Sequence, residues 1–147
     1  MKSKKDIKIA IVSSLYRPEI TEDLVKNCKI TFLKSGLTEN QIDIFKVPGS
    51  LEIPLASKKL AKKKIYDAIV VFGAVFKGDT YHFEQVSNEC IRGCMNVSYE
   101  FEIPVIFEVL SVYDPKDAIE RASGKEDNRG VEGAIAALKM IETLAKI

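Results

Sequence analysis

Residues 68–76 read Ala68-Ile69-Val70-Val71-Phe72-Gly73-Ala74-Val75-Phe76, the longest apolar run in the chain. It is far short of the ~20 residues that a membrane helix needs. From Ala68 to Val75 every position is apolar, not every second one, and β-branched residues dominate. A strand of that kind is buried on both faces, as in a parallel sheet covered by helices on each side.

The flanking segments alternate in the way such a sheet demands. Ile7 to Val12 reads as a strand, and Glu22 to Lys34 as a helix carrying Leu24, Val25, Cys28 and Phe32 on one face, with Gly36 as its stop. Gln41 to Val47 is a second strand, ended by Pro48-Gly49, and Glu52 to Lys63 a helix with Leu55, Leu60 and Ala61 inside. Thr80 to Phe101 is a long helix striped by Val86, Cys90, Cys94 and Val97, and Pro104 to Val112 is the fourth strand. Helices over Pro115–Ala122 and Asn128–Ile147 close the chain. The order β-α-β-α-β-α-β-α-α predicts a three-layer α/β sandwich on a four-stranded parallel sheet. No repeat, low-complexity tract or linker interrupts it, so one domain over residues 1–147 is expected.

Composition narrows the function classes. The chain has 22 basic and 21 acidic residues, net +1, which argues against nucleic-acid or anionic-membrane binding. The apolar stretch behind the basic start, Ile9 to Val12, is too short for the ~7–15-residue core of a signal peptide. Three cysteines, Cys28, Cys90 and Cys94, form no Cys-x-x-Cys pair, and a reduced cytoplasmic protein is expected.

In a sheet of this type ligands sit beyond the carboxyl ends of the strands. The third strand runs into Gly73-Ala-Val-Phe-Lys-Gly78-Asp79-Thr80, one residue away from a phosphate loop, since Asp79 stands where that loop needs lysine. Nucleotide hydrolysis is therefore not expected, although Gly78 and the free N–H groups of the next helix still suit an anion. Otherwise the segment is a tight turn capped by Asp79 or Thr80. His82, the one histidine, falls in the first turn of that helix and is a candidate proton carrier near neutral pH. Cys90 and Cys94 lie on an otherwise apolar stripe and are expected to pack in the core instead of binding zinc. Arg121, Lys125 and Arg129 are spaced by four, and read either as a solvated face or as a phosphate anchor. In Pro48-Gly49-Ser50-Leu51-Glu52-Ile53-Pro54, Ser50 is a candidate helix cap and Pro54 suits a first turn.

Taken together, Val47-Pro-Gly-Ser-Leu-Glu-Ile-Pro54, Gly73-Ala-Val-Phe-Lys-Gly-Asp-Thr-Tyr-His-Phe83, Asn88-Glu89, Pro104-Val-Ile-Phe107 and Ala118-Ile-Glu-Arg-Ala122 resemble the lumazine synthase family in order and spacing. The resemblance covers nearly the whole chain from Ile7 onward. It implies a flavodoxin-like sandwich and an enzyme of riboflavin biosynthesis. That enzyme condenses 5-amino-6-(D-ribitylamino)uracil with 3,4-dihydroxy-2-butanone 4-phosphate, giving 6,7-dimethyl-8-ribityllumazine, phosphate and water. No cofactor and no metal are implied.

By position, the resemblance implies that Tyr16 stacks on the pyrimidine, that Ser50, Leu51 and Glu52 hold the ribityl chain and ring, and that Ala74, Val75 and Phe76 line the pyrimidine edge. Asp79 and Thr80 would meet the butanone phosphate and His82 would move protons. Phe107 and Arg121 would reach in from a neighbouring subunit. A homo-oligomer is implied, and the resemblance also admits association with riboflavin synthase. The sequence departs from the family where Tyr16 replaces Phe or Trp, where Arg17-Pro18 follows it in place of asparagine and another residue, at Lys77, and in the acidic turn Lys125-Glu-Asp-Asn-Arg129. That turn and a short N-terminus favour a pentamer over a sixty-subunit shell. A different class of protein, a non-catalytic flavin- or lumazine-binding assembly protein on the same scaffold, would need neither His82 nor Arg121.

Overall fold

The structure, a computed structural model, describes residues 2–147. Four parallel strands, β1 (Ile9–Ser14), β2 (Ile42–Val47), β3 (Ala68–Phe76) and β4 (Val105–Val112), form one sheet in the order β2-β1-β3-β4. Five α-helices cover it: α1 (Pro18–Lys34), α2 (Ile53–Lys62), α3 (His82–Phe101), α4 (Pro115–Ser123) and α5 (Arg129–Leu144). This is the flavodoxin-like three-layer α/β arrangement. Among the described residues no helix is long and apolar enough to cross a membrane.

Two separate cores follow from the strand pleat, since successive side chains point to opposite faces. Ile9 and Ile11 of β1 and Val70 and Phe72 of β3 pack with Ile20, Leu24 and Phe32 of α1 and with alanines of α4 and α5. Ala10, Val12, Ile69 and Val71 pack on the other side with Ile53 and Leu60 of α2 and Cys90, Cys94 and Val97 of α3. Every residue of β1 is buried, while the edge strand β2 alternates. The two central strands are the ones apolar on both faces.

Several element boundaries differ from the expectation. β1 runs from Ile9 to Ser14, two residues later than Ile7–Val12, because Ser13 and Ser14 are buried in the ladder beside Lys46 and Val47 of β2. α1 starts at Pro18, four residues before Glu22. Pro18 occupies its first turn, where a missing N–H costs nothing, and Ile20 and Thr21 are already buried. Its end follows the glycine as expected: Gly36 has φ 103°, and the Leu37 and Gly36 N–H groups donate to the Phe32 and Leu33 carbonyls, each at 3.1 Å. Leu55, expected inside α2, is 67% exposed, whereas Leu60 and Ala61 are buried.

The chain steps from β1 outward to β2, then returns past β1 to β3 and β4. The winding reverses between β1 and β3, and this opens a crevice beyond their carboxyl ends. A cavity of about 1000 Å³ lies at the opposite end of the sheet among Ile7, Tyr66, Ile103 and the end of α5, and contains none of the candidate residues.

Candidate functional site

Backbone pairing continues past the strands and builds one wall of the crevice. The Leu15 N–H donates to the Val47 carbonyl at 2.7 Å and the Tyr16 N–H to the Pro48 carbonyl at 3.2 Å. Tyr16 is thereby fixed beside the segment that leads to Ser50, with its ring 63% exposed. After extended Gly49 the chain makes a 3-10 turn over Ser50–Glu52 before α2 begins.

Ser50 is not the cap of α2. It is buried, and its hydroxyl sits where a Cβ on Gly73 would lie only 2.6 Å away. The missing side chain at Gly73 lets the Ser50 turn press onto β3. Leu51 and Glu52 stay exposed at the lip.

β3 supplies the opposite wall. Ala74 is buried, and Val75 and Phe76 are half-buried at the strand's end. The Arg17 guanidinium carbon lies 4.3 Å from the centroid of the Phe76 ring and 5.0 Å from that of Tyr16. Arg17 thus bridges Tyr16 and Phe76, while Ser50 packs on the same strand at Gly73. Arg17 marks a departure from the family pattern but is absent from the residues that the resemblance assigns to the site. Its signal in the sequence is weak, a lone arginine before a proline with no periodic partner.

Beyond Phe76 the loop is braced at its root. The Lys77 N–H donates to the Val112 carbonyl at 2.9 Å, its ammonium pairs with Glu84, and the same ammonium lies 5.5 Å from the Phe83 ring centroid. The Lys77 hydrogen bond holds the Glu84 carboxyl below the usual range. Gly78 has open space around it, and Asp79 and Thr80 are exposed. α3 begins at His82, two residues later than Thr80, and neither Asp79 nor Thr80 caps it in the usual way. Tyr81 stands at the cap position without a side-chain bond, and Thr80 Oγ1 accepts only a long 3.4 Å bond from the His82 N–H. The first turn of α3 thus has only the long Thr80 bond as a cap, and it lies next to exposed His82.

Two expected site residues are not brought here by the fold of one chain. Phe107 pairs in register with Val71, five residues before the end of β3, and packs on the α2–α3 side of edge strand β4. Arg121 lies on α4, which packs on the opposite face from α3. It donates to the Asp117 carbonyl at 3.0 Å and lies 3.8 Å and 3.6 Å from the carboxylates of Asp117 and Asp127.

Arg129 does not extend a solvated face with it. It makes a two-pronged pair with buried Glu108 at 2.9 and 3.0 Å and a further bond to Asp127 at 3.1 Å. Burial pushes the Glu108 carboxyl up, and the Glu108 bond raises the Arg129 guanidinium. The acidic residue Asp127 thus joins both arginines. Asn128 closes the turn, donating to the Ala122 and Gly124 carbonyls while its oxygen accepts the Gly130 and Val131 N–H groups.

The cysteines are core residues. All three are fully buried, burial pushes the Cys28 thiol up, and contact with Cys90 together with burial does the same to Cys94. Among the described residues no group of three or more His, Cys, Asp or Glu side chains is placed to hold a metal ion.

An exposed aromatic ring after β1, the end of β3 and the start of α3 thus lie at the carboxyl end of the sheet. The family model for 6,7-dimethyl-8-ribityllumazine synthase matches residues 6–145. The chain belongs to the lumazine synthase family. Membership of that family implies riboflavin biosynthesis, small-molecule substrates and assembly from identical subunits. In lumazine synthase terms, Tyr16, the Ser50 turn and the Phe76 strand end lie together in one subunit, and the His82 helix start adjoins them. Phe107 and Arg121 lie elsewhere.

Proposed function

We propose that the protein is a 6,7-dimethyl-8-ribityllumazine synthase, a transferase that condenses 5-amino-6-(D-ribitylamino)uracil with 3,4-dihydroxy-2-butanone 4-phosphate. The observation that carries this reading is an exposed aromatic ring, Tyr16, after β1 and a weakly capped helix start at His82 after β3, the two strands that flank the switch point of the sheet. The uracil stacks on Tyr16, its ribityl chain runs along Ser50, Leu51 and Glu52, and its edge meets the backbone of Ala74, Val75 and Phe76. The butanone phosphate sits at the Gly78–Thr80 loop. A carboxylate at Asp79 would repel that dianion, so the loop and the first turn of α3 act through their N–H groups and the Thr80 hydroxyl.

The chemistry requires little of the protein beyond positioning and proton transfer. The 5-amino nitrogen of the uracil attacks the ketone of the second substrate, and loss of water leaves an imine. Elimination of phosphate follows, with the proton carried by His82, and the ribitylamino nitrogen then closes the second ring with loss of another water. The substrate's own amine forms the imine, so no catalytic lysine is needed. Departing phosphate is stabilised by the α3 start and by an arginine fork.

Arg121 and Phe107 serve a neighbouring subunit's site, which makes a ring of identical chains the working unit. Exposed apolar side chains on the α2–α3 layer, Leu51, Leu55 and Ile91, suit such contacts.

Incubating the purified protein with both substrates and following lumazine fluorescence and released phosphate tests the reading. Equimolar lumazine and phosphate is the expected result. Tight binding of lumazine without turnover would instead identify a non-catalytic binding protein.

A further inference from the structure

Arg17 is held in place from several directions. Its backbone is left-handed, with φ 61° and ψ 56°, and it precedes Pro18 at the start of α1. Its carbonyl accepts the Ile20 N–H at 3.0 Å, the Thr21 N–H at 3.1 Å and the Thr21 hydroxyl at 3.3 Å. Its guanidinium then lies over Phe76 at 4.3 Å and Tyr16 at 5.0 Å. Both are within the ~6 Å at which a cation is attracted to a ring face.

Its hydrogen-bonding capacity is left unused. The Nε atom is buried and has no partner. Among the described residues no carboxylate pairs with Arg17. A guanidinium has five donors in one plane and no acceptor. Packed against two aromatic rings and paired with no carboxylate, it keeps its donors for a ligand. A donor without a partner is costly, and the terminal Nη groups, which make no hydrogen bond among the described residues, are the ones an acceptor on a ligand can satisfy.

Tyr16 is exposed, and its ring has surface left to carry a planar heterocycle beside the guanidinium. A heterocycle stacked there lies next to the guanidinium, from whose N–H groups ring carbonyls accept and ring amino groups do not.

We propose that Arg17 is the specificity-determining residue of the heterocycle site, its guanidinium donating to the carbonyl edge of a pyrimidinedione and rejecting rings that carry amino groups there. This rests on Tyr16 being the stacking platform of the proposed function. Lysine could not substitute, because it has neither the planar fork nor a face to lay on Phe76.

The test is a calorimetric titration of the intact assembly with two ligands. One is 5-amino-6-(D-ribitylamino)uracil, and the other is its counterpart with amino groups in place of both ring carbonyls. The wild-type protein should prefer the dione. Arg17→Met, which keeps the apolar stem, should weaken the dione about 10–100-fold and leave the diamino ring unchanged. Arg17→Lys should recover only part of the loss. In turnover assays Arg17→Met should raise KM for the uracil more than KM for the butanone phosphate.

Equal binding of the dione by wild type and Arg17→Met would overturn the proposal. Tighter binding by Arg17→Met would also overturn it, since Arg17 would then merely plug the slot. If the wild-type protein binds neither ring, the stacking site itself falls and the proposed function with it, an outcome distinct from the loss of Arg17 alone.

Discussion

His82 is the one histidine of the chain, and it stands at an exposed helix start where no other imidazole can replace it. Positioned general acids and bases contribute about 10²–10⁴-fold, and imine formation has a background rate of its own. His82→Ala should therefore slow turnover roughly 10–10³-fold and leave the assembly intact. Steady-state assays that show an unchanged rate would remove His82 from the mechanism. Arg121 calls for a different experiment. In one subunit it is shared between Asp117 and Asp127, exposed pairs of the kind that contribute little to stability. In the proposed function its value lies in the phosphate of a neighbouring subunit's site. Arg121→Ala should weaken the butanone phosphate about 10–150-fold and spare the uracil. Equal losses for both substrates in binding titrations would contradict that role. Arg129 looks equivalent by spacing but is already committed to Glu108.

At the scale of elements, the two ends of the sheet do different work. The carboxyl ends carry the candidate site, while the amino ends are tied together by polar side chains. Tyr66, just before β3, donates to Asp43 of β2 at 2.8 Å, and Lys8, just before β1, reaches the same carboxylate at 3.0 Å. Burial, followed by the bond to Asp43, raises the Tyr66 phenol to about 12. Burial would raise Asp43, but the hydrogen bonds from Tyr66 and Lys8 and the charges of Lys8 and Lys63 outweigh it and hold Asp43 below its usual value. The signs follow. The phenol's contribution is complete below the unfolded tyrosine value of ~10 and is lost as pH rises through about 12. The carboxylate's contribution is present above ~4 and is lost as pH falls through its lowered value. Tyr66→Phe should cost about 1–2 kcal/mol at pH 7, and the difference from wild type should shrink above pH ~10. Denaturant unfolding across that range measures it, and a gap that stays constant to pH 12 would show that the bond does not support the fold.

At the scale of the molecule, a chain of 16.4 kDa with its candidate site divided over separate regions is expected to work as a ring. A ring contact is heterologous and closes by rotation, so each site is completed by one neighbour. The pentamer, about 82 kDa for five chains of 16.4 kDa, is the expected species in analytical ultracentrifugation. A species near 1 MDa would identify the shell. Full activity in a 16 kDa monomer would refute the shared site.

Periodicity alone determined the layer order of this protein, because a strand buried on both faces must be apolar at every position and Ala68–Val75 is. The helix stop at Gly36 and the buried Cys90–Cys94 stripe were legible for the same local reason: backbone handedness and helical spacing act within a few residues. The place of His82 at the start of the helix after β3 was legible from the same helical spacing. The early start of α1, the outward turn of Leu55 and the burial of Ser50 were not. Each depends on what packs across from it, Ser50 most clearly, since it faces Gly73 from another element. Only tertiary structure could lay Arg17 over both Tyr16 and Phe76, or give Arg129 to Glu108 while leaving Arg121 at the surface. Those pairings join residues that spacing along the chain does not relate, and a charge's role is decided by the partner that the fold brings within reach.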